Sequence, residues 1–298
     1  MKKILVIGSL NTDFSISVEK IPIPGQTVNA DNLIISGGGK GANQAYTIGK
    51  LEGNVSMLGM VGHDIYGQDL IDNLNKAGVN TSYIYKSSDA ETGKAFINVD
   101  KKGENTISIV HGANYQINET VITNHENLIK DNDIILTQLE IPLEATKKIL
   151  QIAKDKIIIL DPAPANKEIM NLDLSNIYLI KPNESELSTI TSMPTEDNSQ
   201  IIAAANKLIE KGIKNVLVSL GEKGSLLITK EKALLFSPII SNVVDTTAAG
   251  DSFIASIALM LSQDKTLNEA ISFATKVASI VVTKKGAQES IPSLKEVI

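Results

Sequence analysis

Asp245-Thr246-Thr247-Ala248-Ala249-Gly250-Asp251-Ser252-Phe253 is the stretch around which the chain is organised. A polar turn gives way to two alanines and a glycine, then an acid, then Ile254, Ile257, Ala258 and Leu261 at helical spacing. Together these make a helix N-terminus suited to an anion. Small residues let backbone N–H groups approach closely, and unpaired amides plus the helix dipole favour negative charge there. An acid at Asp251 would repel a phosphate that was merely bound. Two readings stay open: an ordinary first-turn acid, or a base that takes a hydroxyl proton while neighbouring amides hold a transferring phosphoryl group.

Composition narrows the field. At 298 residues the chain can build one large core, or one with a small appendage. Its 43% hydrophobic and 21% charged residues are ordinary for a globular protein. A net charge of −6 excludes the basic footprint of a nucleic-acid partner. The absence of cysteine removes disulfides, thiolate catalysis and zinc–sulfur sites together. His63, His111 and His125 show no paired ligand spacing, so a transition-metal site is not expected. The opening run, Met1-Lys2-Lys3-Ile4-Leu5-Val6-Ile7-Gly8, is too short for the apolar part of a signal peptide and reads as a buried strand. No apolar run reaches spanning length. The expectation is a soluble, cytoplasmic protein without a membrane partner.

Residues 3–7 are continuously apolar, as in a strand covered on both faces. Residues 14–18 alternate instead, Pro22, Pro24 and Gly25 turn the chain, and 27–36 are extended again. Two half-polar strands therefore interrupt an α/β pattern before it begins, which suggests a small separate sheet. Residues 92–99 and 106–110, joined by the polar turn at 101–104, form a hairpin that completes it. A glycine-rich turn at 37–39 opens a helix to about Leu51, 54–61 are strand-like, and 65–77 form a helix closed by Gly78. From about Asn118 strands at 133–139, 157–160, 177–180 and 215–220 alternate with helices at 142–154, from 184, and at 199–211. Strands at 225–229 and 233–236 and helices at 250–261 and 267–283 finish the core. Repeated βα units predict a mostly parallel sheet with helices on both faces, hence one α/β domain over residues 1–298 with a discontinuous β lid from about 12–36 and 92–110.

The glycine-rich stretch invites two readings that fail. Gly41, not Ser or Thr, follows Lys40, so there is no Walker A loop. Gly37, Gly39 and Ala42 match the looser dinucleotide fingerprint, but the first βα turn carries only Gly8 and no acid ends a strand about 20 residues on. A third reading has the backbone close around a small polyol, with Lys40 and Asn43 donating to hydroxyl oxygens. Asn11, Asp13, Glu140, Asn183, Glu186, Gly221 and Gly224 all follow strand ends. That places them on one rim with Asp251, where open α/β sheets bind ligands.

Gly8-Ser9-Leu10-Asn11-Thr12-Asp13, Gly38-Gly39-Lys40-Gly41-Ala42-Asn43-Gln44-Ala45, Lys181-Pro182-Asn183-Glu184-Ser185-Glu186 and the Asp245–Phe253 stretch resemble, in order, the signatures of the PfkB carbohydrate kinase family. The likeness runs to Lys285-Gly286-Ala287-Gln288 and is strongest to the ribose-phosphorylating members. It implies the ribokinase-like fold, a three-layer sandwich with a mostly parallel central sheet and a small β-sheet lid. Carried over by motif, Asn11, Asp13, Gly39, Lys40, Asn43 and Glu140 match positions that hold sugar hydroxyls, and Ala95 and Ile97 the lid positions above the sugar. Asn183, Ser219, Leu220, Gly221, Glu222, Lys223, Gly224 and Thr275 match the nucleotide site, with Glu186 near magnesium and the phosphates. Ala248, Ala249 and Gly250 match the anion hole, and Asp251 the catalytic base. Asp245, Thr247, Val281, Lys284, Gly286 and Ser290 match a monovalent-cation loop.

Lys284 and Thr275 stand where Arg and His are common in such kinases, and Ile254 where Asn is common; the sugar-contacting positions are intact. The resemblance implies transfer of the γ-phosphoryl group of Mg·ATP to O5 of D-ribose, with K⁺ as activator. Alternatives are a family member acting on 2-deoxyribose, a ketohexose or a nucleoside, an idle sugar- or nucleotide-binding protein, and, weakest, a dehydrogenase. The resemblance also implies a homodimer through an apolar patch on the lid, with Ile16, Val18, Ile97 and Ile109 as candidates.

Overall fold

Ile4-Leu5-Val6-Ile7 forms strand β1 (Ile4–Ile7), fully buried and paired in parallel on both sides, which is why the run has no polar face. It lies near the centre of a computed structural model that describes residues 1–298. The remaining strands are β2 (Asn11–Val18), β3 (Ala30–Gly38), β4 (Val55–Gly62), β5 (Asn80–Ser87), β6 (Gly93–Val99), β7 (Asn105–Val110), β8 (Ile134–Gln138), β9 (Ile157–Asp161), β10 (Ile177–Ile180), β11 (Asn215–Ser219), β12 (Ser225–Ile228) and β13 (Ala233–Phe236). Helices are α1 (Lys40–Lys50), α2 (Ile65–Lys76), α3 (Glu119–Asn124), α4 (Glu126–Lys130), α5 (Leu143–Ile152), α6 (Glu184–Thr191), α7 (Asn198–Glu210), α8 (Ala249–Ser262), α9 (Leu267–Val281) and α10 (Leu294–Val297).

Nine strands form the main sheet in the order β13-β12-β11-β10-β9-β8-β1-β4-β5. Every pair is parallel except β11–β12 and β12–β13, so this is a layered α/β architecture with a mostly parallel sheet and an antiparallel edge. Alternate residues of each strand feed two separate cores. Ile4 and Val6 pack with Ile48, Leu74, Ile254, Ile257, Ile271 and Val277 from α1, α2, α8 and α9. Leu5 and Ile7 face the other way, towards Ile149 of α5, Leu208 of α7, and Ile122 and Ile129 of the short helices. Burying each such side chain is worth about 1.5–3 kcal/mol, so the first core fixes α1 and α8 on one face of the sheet. No helix is long and apolar enough to cross a membrane.

The second sheet has four strands in the order β3-β2-β6-β7. Antiparallel β2–β3 and β6–β7 hairpins meet along a parallel β2–β6 seam that places Asp13 opposite Ala95 and Ser15 opposite Ile97. Phe14 stacks on Phe96 at 5.2 Å and meets Tyr66 of α2 edge-on at 5.5 Å, which seats this sheet on the α/β body.

Several boundaries differ from the sequence expectation. β2 begins at Asn11, three residues early, because the β2–β3 ladder continues into Gly37 and Gly38; Asn11 and Asp13 therefore lie on a strand and not in a loop. β5 escaped detection because it is an edge strand whose only deeply apolar position is Ile84. α3 and α4 are too short to show helical periodicity. On the small sheet, register puts Ile34, Ile97, Ile107 and Ile109 on the Asp13 face, whereas Ile16 and Val18 point to the other. Val18 is buried and so is not a candidate for an exposed patch; Leu33, Ile34, Ile35 and Ile107 are each more than half exposed.

Candidate active site

The Asp245–Phe253 stretch turns into α8 through Ala248, which takes the left-handed conformation at φ 59° and ψ 4°. For a non-glycine residue that costs about 1–2 kcal/mol. The turn directs the first amides of α8 outward. Ala249 N–H is occupied by the Thr246 carbonyl at 3.2 Å, whereas the amides of Gly250 and Asp251 donate to no acceptor in the chain. Of the residues expected to form the anion hole, Ala249 thus has its amide taken and Gly250 does not.

Asp251 follows on the same turn, 7% exposed. Its Oδ2 accepts from Asn43 Nδ2 at 2.9 Å, and its Oδ1 from Gln44 Nε2 at 3.4 Å. Burial pushes its carboxyl above the ordinary value; Lys40 opposes that push, and the buried Asp161 adds to it. Asn43 is itself held, because its Oδ1 accepts from Gln288 Nε2 at 3.1 Å.

Adjacent to Asp251 is a cluster of polar groups at the strand ends. Gly39, at φ 87°, starts α1 so tightly against β2 that a β-carbon would come within 2.7 Å of the Asn11 amide nitrogen. Glu140 is buried, accepts from the Ser9 hydroxyl, and accepts from the Lys40 backbone N–H at 3.1 Å. Asn11 Oδ1 accepts from Asn114 Nδ2 at 2.8 Å. Gly38 leaves room for the Asp13 carboxylate where any side chain would collide with it. Burial, reinforced by Glu140, Asp251 and Glu289, pushes Asp13 up to about 7. Burial works to lower the Lys40 ammonium, but Asp251, Asp161, Glu140 and Glu186 outweigh it and hold that group above its ordinary value. Ala95 is buried, and Ala95 and Ile97 share the sheet face of Asp13.

A second cluster lies towards β10 and β11. Asn183 and Glu186 form a reciprocal capping box on α6, with Asn183 Oδ1 accepting from Glu186 N at 2.7 Å and Glu186 Oε2 from Asn183 N at 2.8 Å. Asn183 is bridged to Ser219 at the end of β11. From there Leu220, Gly221, Glu222, Lys223 and Gly224 make a one-turn 3₁₀ helix into β12. Gly221, at φ 57°, has open space around it. Thr275, inside α9, donates its hydroxyl to the Ile271 carbonyl one turn earlier, at 2.9 Å.

The six positions expected to form a cation loop also converge in part. Asp245 Oδ1 accepts from Thr247 N at 2.9 Å and Thr247 Oγ1 at 2.6 Å, and its Oδ2 from Gly286 N at 3.0 Å. Burial pushes Asp245 up, yet these donors hold it below the ordinary carboxylate value. Ser290 Oγ donates to Ala287, and Val281 accepts from Lys284 N. The Lys284 ammonium leaves the loop for Glu296 at 2.8 Å. What remains is an oxygen-rich loop with one carboxylate, a donor set that fits a hard monovalent cation.

The model of the pfkB family of carbohydrate kinases matches residues 1–294. The chain belongs to that family. It is 38% identical over 300 residues to a ribokinase of Haemophilus influenzae, covering 100% of this chain and 97% of that protein. It is 36% identical over 295 residues to a deoxyribokinase of Salmonella typhi, covering 98% and 96%. A longer bifunctional ribokinase/ribose-5-phosphate isomerase A of Fructilactobacillus sanfranciscensis is 37% identical over 302 residues, but this chain spans only 56% of it. Among solved structures, the Arabidopsis thaliana ribokinase complexed with ribose and ATP superposes with a TM-score of 0.91 at 34% identity, covering 99% and 97% of the two chains.

Within this family member, the site uses residues that sequence reasoning left without a role. Ser9 and Asn114 orient Glu140 and Asn11. Gln44 links Asp251 to Asp161, donating to Asp161 Oδ2 at 3.0 Å, and accepts from Gln138 at 2.6 Å. Asp161 and Gln138 end adjacent strands, β9 and β8, so the strand-end rule that identified Glu140 could have identified them as well. Gln44 follows Asn43 in the same motif. Asn114 gave no signal, since it reaches the site through a 3₁₀ turn remote in sequence.

Proposed function

We propose that the chain phosphorylates D-ribose at O5 with Mg·ATP, giving D-ribose 5-phosphate and ADP. One observation carries this reading. The Asp251 carboxylate accepts from Asn43, beside the polar cluster at the strand ends, and sits on the same helix turn as the free amides of Gly250 and Asp251. A hydroxyl bound on one side and a phosphoryl group on the other would meet at that carboxylate.

In this reading Asn11, Asp13, Lys40, Asn43 and Glu140 fix the sugar by its hydroxyls. Asp251 takes the O5 proton as O5 attacks the γ-phosphorus. The new O5–P bond forms as the bond from phosphorus to the bridging oxygen breaks, and ADP leaves with that electron pair. Burial raises the proton affinity of Asp251, as a base requires, and Lys40 opposes that rise. The free amides receive charge from the equatorial phosphoryl oxygens. Asn183 and the Ser219–Gly224 turn border the nucleotide. Glu186 would stand near Mg²⁺, which would supply charge neutralisation when bound. K⁺ in the Asp245 loop would brace the turn that aims the free amides. The small sheet acts as a lid that excludes water once sugar is bound, and its exposed isoleucines pair two chains.

Ribose and 2-deoxyribose differ only in the 2-hydroxyl, so the preference between them rests on Asp13 and Asn43. The test is ADP production with Mg·ATP on D-ribose, 2-deoxyribose, fructose and adenosine, with and without K⁺. Preference for ribose that strengthens with K⁺ is expected. Preference for another acceptor would replace the substrate, and no turnover on any of them would overturn the reading.

A further inference from the structure

Lys181 is a buried cation with no part in the account above. It follows β10 directly and is 5% exposed. Its ammonium donates no hydrogen bond to the chain; the nearest anion is Asp161 Oδ1, at 3.5 Å. That oxygen has no hydrogen-bond partner either, so the pair attracts across a gap too long to satisfy both groups. The other Asp161 oxygen is taken by Gln44. A buried ion pair so loosely made is weak support for stability, because desolvating two charges costs more than a long contact returns. Its position is more telling. A β-carbon on Gly250 would lie 3.2 Å from Lys181 Nζ, so the ammonium stands over the first turn of α8, beside the two free amides.

We propose that Lys181 is a catalytic cation for phosphoryl transfer, meeting the same phosphoryl oxygens as the Gly250 and Asp251 amides while Asp161 positions it. This rests on the kinase reading of the site and adds a residue to it. Three features converge on one place: a buried ammonium, two unpaired amides, and a glycine that gives the ammonium room. The ammonium gives up no proton; it stabilises charge that spreads over the phosphoryl oxygens as the bond to ADP breaks. Lys suits such a role as a compact point charge. Asp161 holds that charge in place before nucleotide binds, and its length of 3.5 Å leaves the ammonium free to turn towards a better acceptor.

The test compares wild type with Lys181→Met, which keeps the stem and removes the charge, and with Lys181→Gln in case Met does not fold. Turnover on ribose and calorimetric binding of ADP with fluoroaluminate, a mimic of the transferring phosphoryl group, are measured in the presence of ribose. The expected result is a loss on the order of 10²–10³ in kcat, the scale for one donor to a developing anion, and a parallel loss in fluoroaluminate complex affinity. Ribose binding alone stays as in wild type. Loss of turnover that tracks loss of folded protein, with fluoroaluminate binding per folded molecule unchanged, would make Lys181 structural and overturn the proposal. So would undiminished turnover. Wild type that fails on every sugar would instead refute the kinase reading itself.

Discussion

Asn43 Nδ2 donates to Asp251 Oδ2 at 2.9 Å, from the neighbouring helix across the core that packs α1 against α8. The bond joins the glycine-rich motif to the Asp245–Phe253 motif, 208 residues apart in sequence. It also stabilises the charged form of a carboxylate that burial pushes towards neutrality.

Removing that donor in Asn43→Ala should therefore act twice. Loss of a hydrogen bond to a charged group predicts a fall on the order of 10- to 100-fold in kcat/KM for ribose. The Asp251 carboxyl also rises further, so the acidic limb of the kcat–pH profile moves to higher pH. A pH series of initial rates on both proteins measures the shift; coincident acidic limbs would contradict it.

Asp13 predicts its own pH dependence. Its carboxyl is raised to about 7 in the folded chain, from an ordinary 3.8. If a sugar hydroxyl donates to the carboxylate, as proposed, ribose KM should increase as pH falls through about 7, and Asp13→Asn should flatten that change while weakening ribose overall. Stability runs with the opposite sign. Between 3.8 and about 7 the folded chain binds more protons at this group than the unfolded chain. Its contribution is thus fully present below 3.8 and is lost as pH rises through about 7. Urea titrations should find Asp13→Asn gaining on wild type as pH is raised from 5 to 8.

The main sheet and the division into α/β body and small sheet were legible because continuous apolar runs and period-two alternation differ plainly in Ile4–Ile7 and β2. β5 was not legible, since an exposed edge strand buries too little to carry a pattern. At the site, Asp251, Asn43 and Glu140 could be named from motifs and strand ends. Gln288 and Asn114 could not be given roles, because what matters about each is a hydrogen bond made across more than 100 residues of chain. The occupied amide of Ala249 is equally invisible in sequence: it depends on the φ of Ala248, where alanine is an unexpected left-handed residue.

The lid offers a prediction about assembly. Ile34 and Ile107 are exposed on the face that carries Asp13, with Ile97 and Ile109 half-buried beside them. A sheet face of this kind is expected to pair with its copy. Sedimentation at micromolar concentration should give a dimer for wild type and a monomer for Ile107→Glu. A wild-type monomer would remove the lid interface from the account.

The central claim is that Asp251 is the base for phosphoryl transfer to ribose. The most direct measurement is kcat for ADP formation with saturating ribose and Mg·ATP in wild type and Asp251→Asn, alongside ribose affinity by calorimetry. The account predicts a loss on the order of 10²–10⁴ in kcat, with ribose binding little changed. Near-wild-type turnover in Asp251→Asn would contradict it.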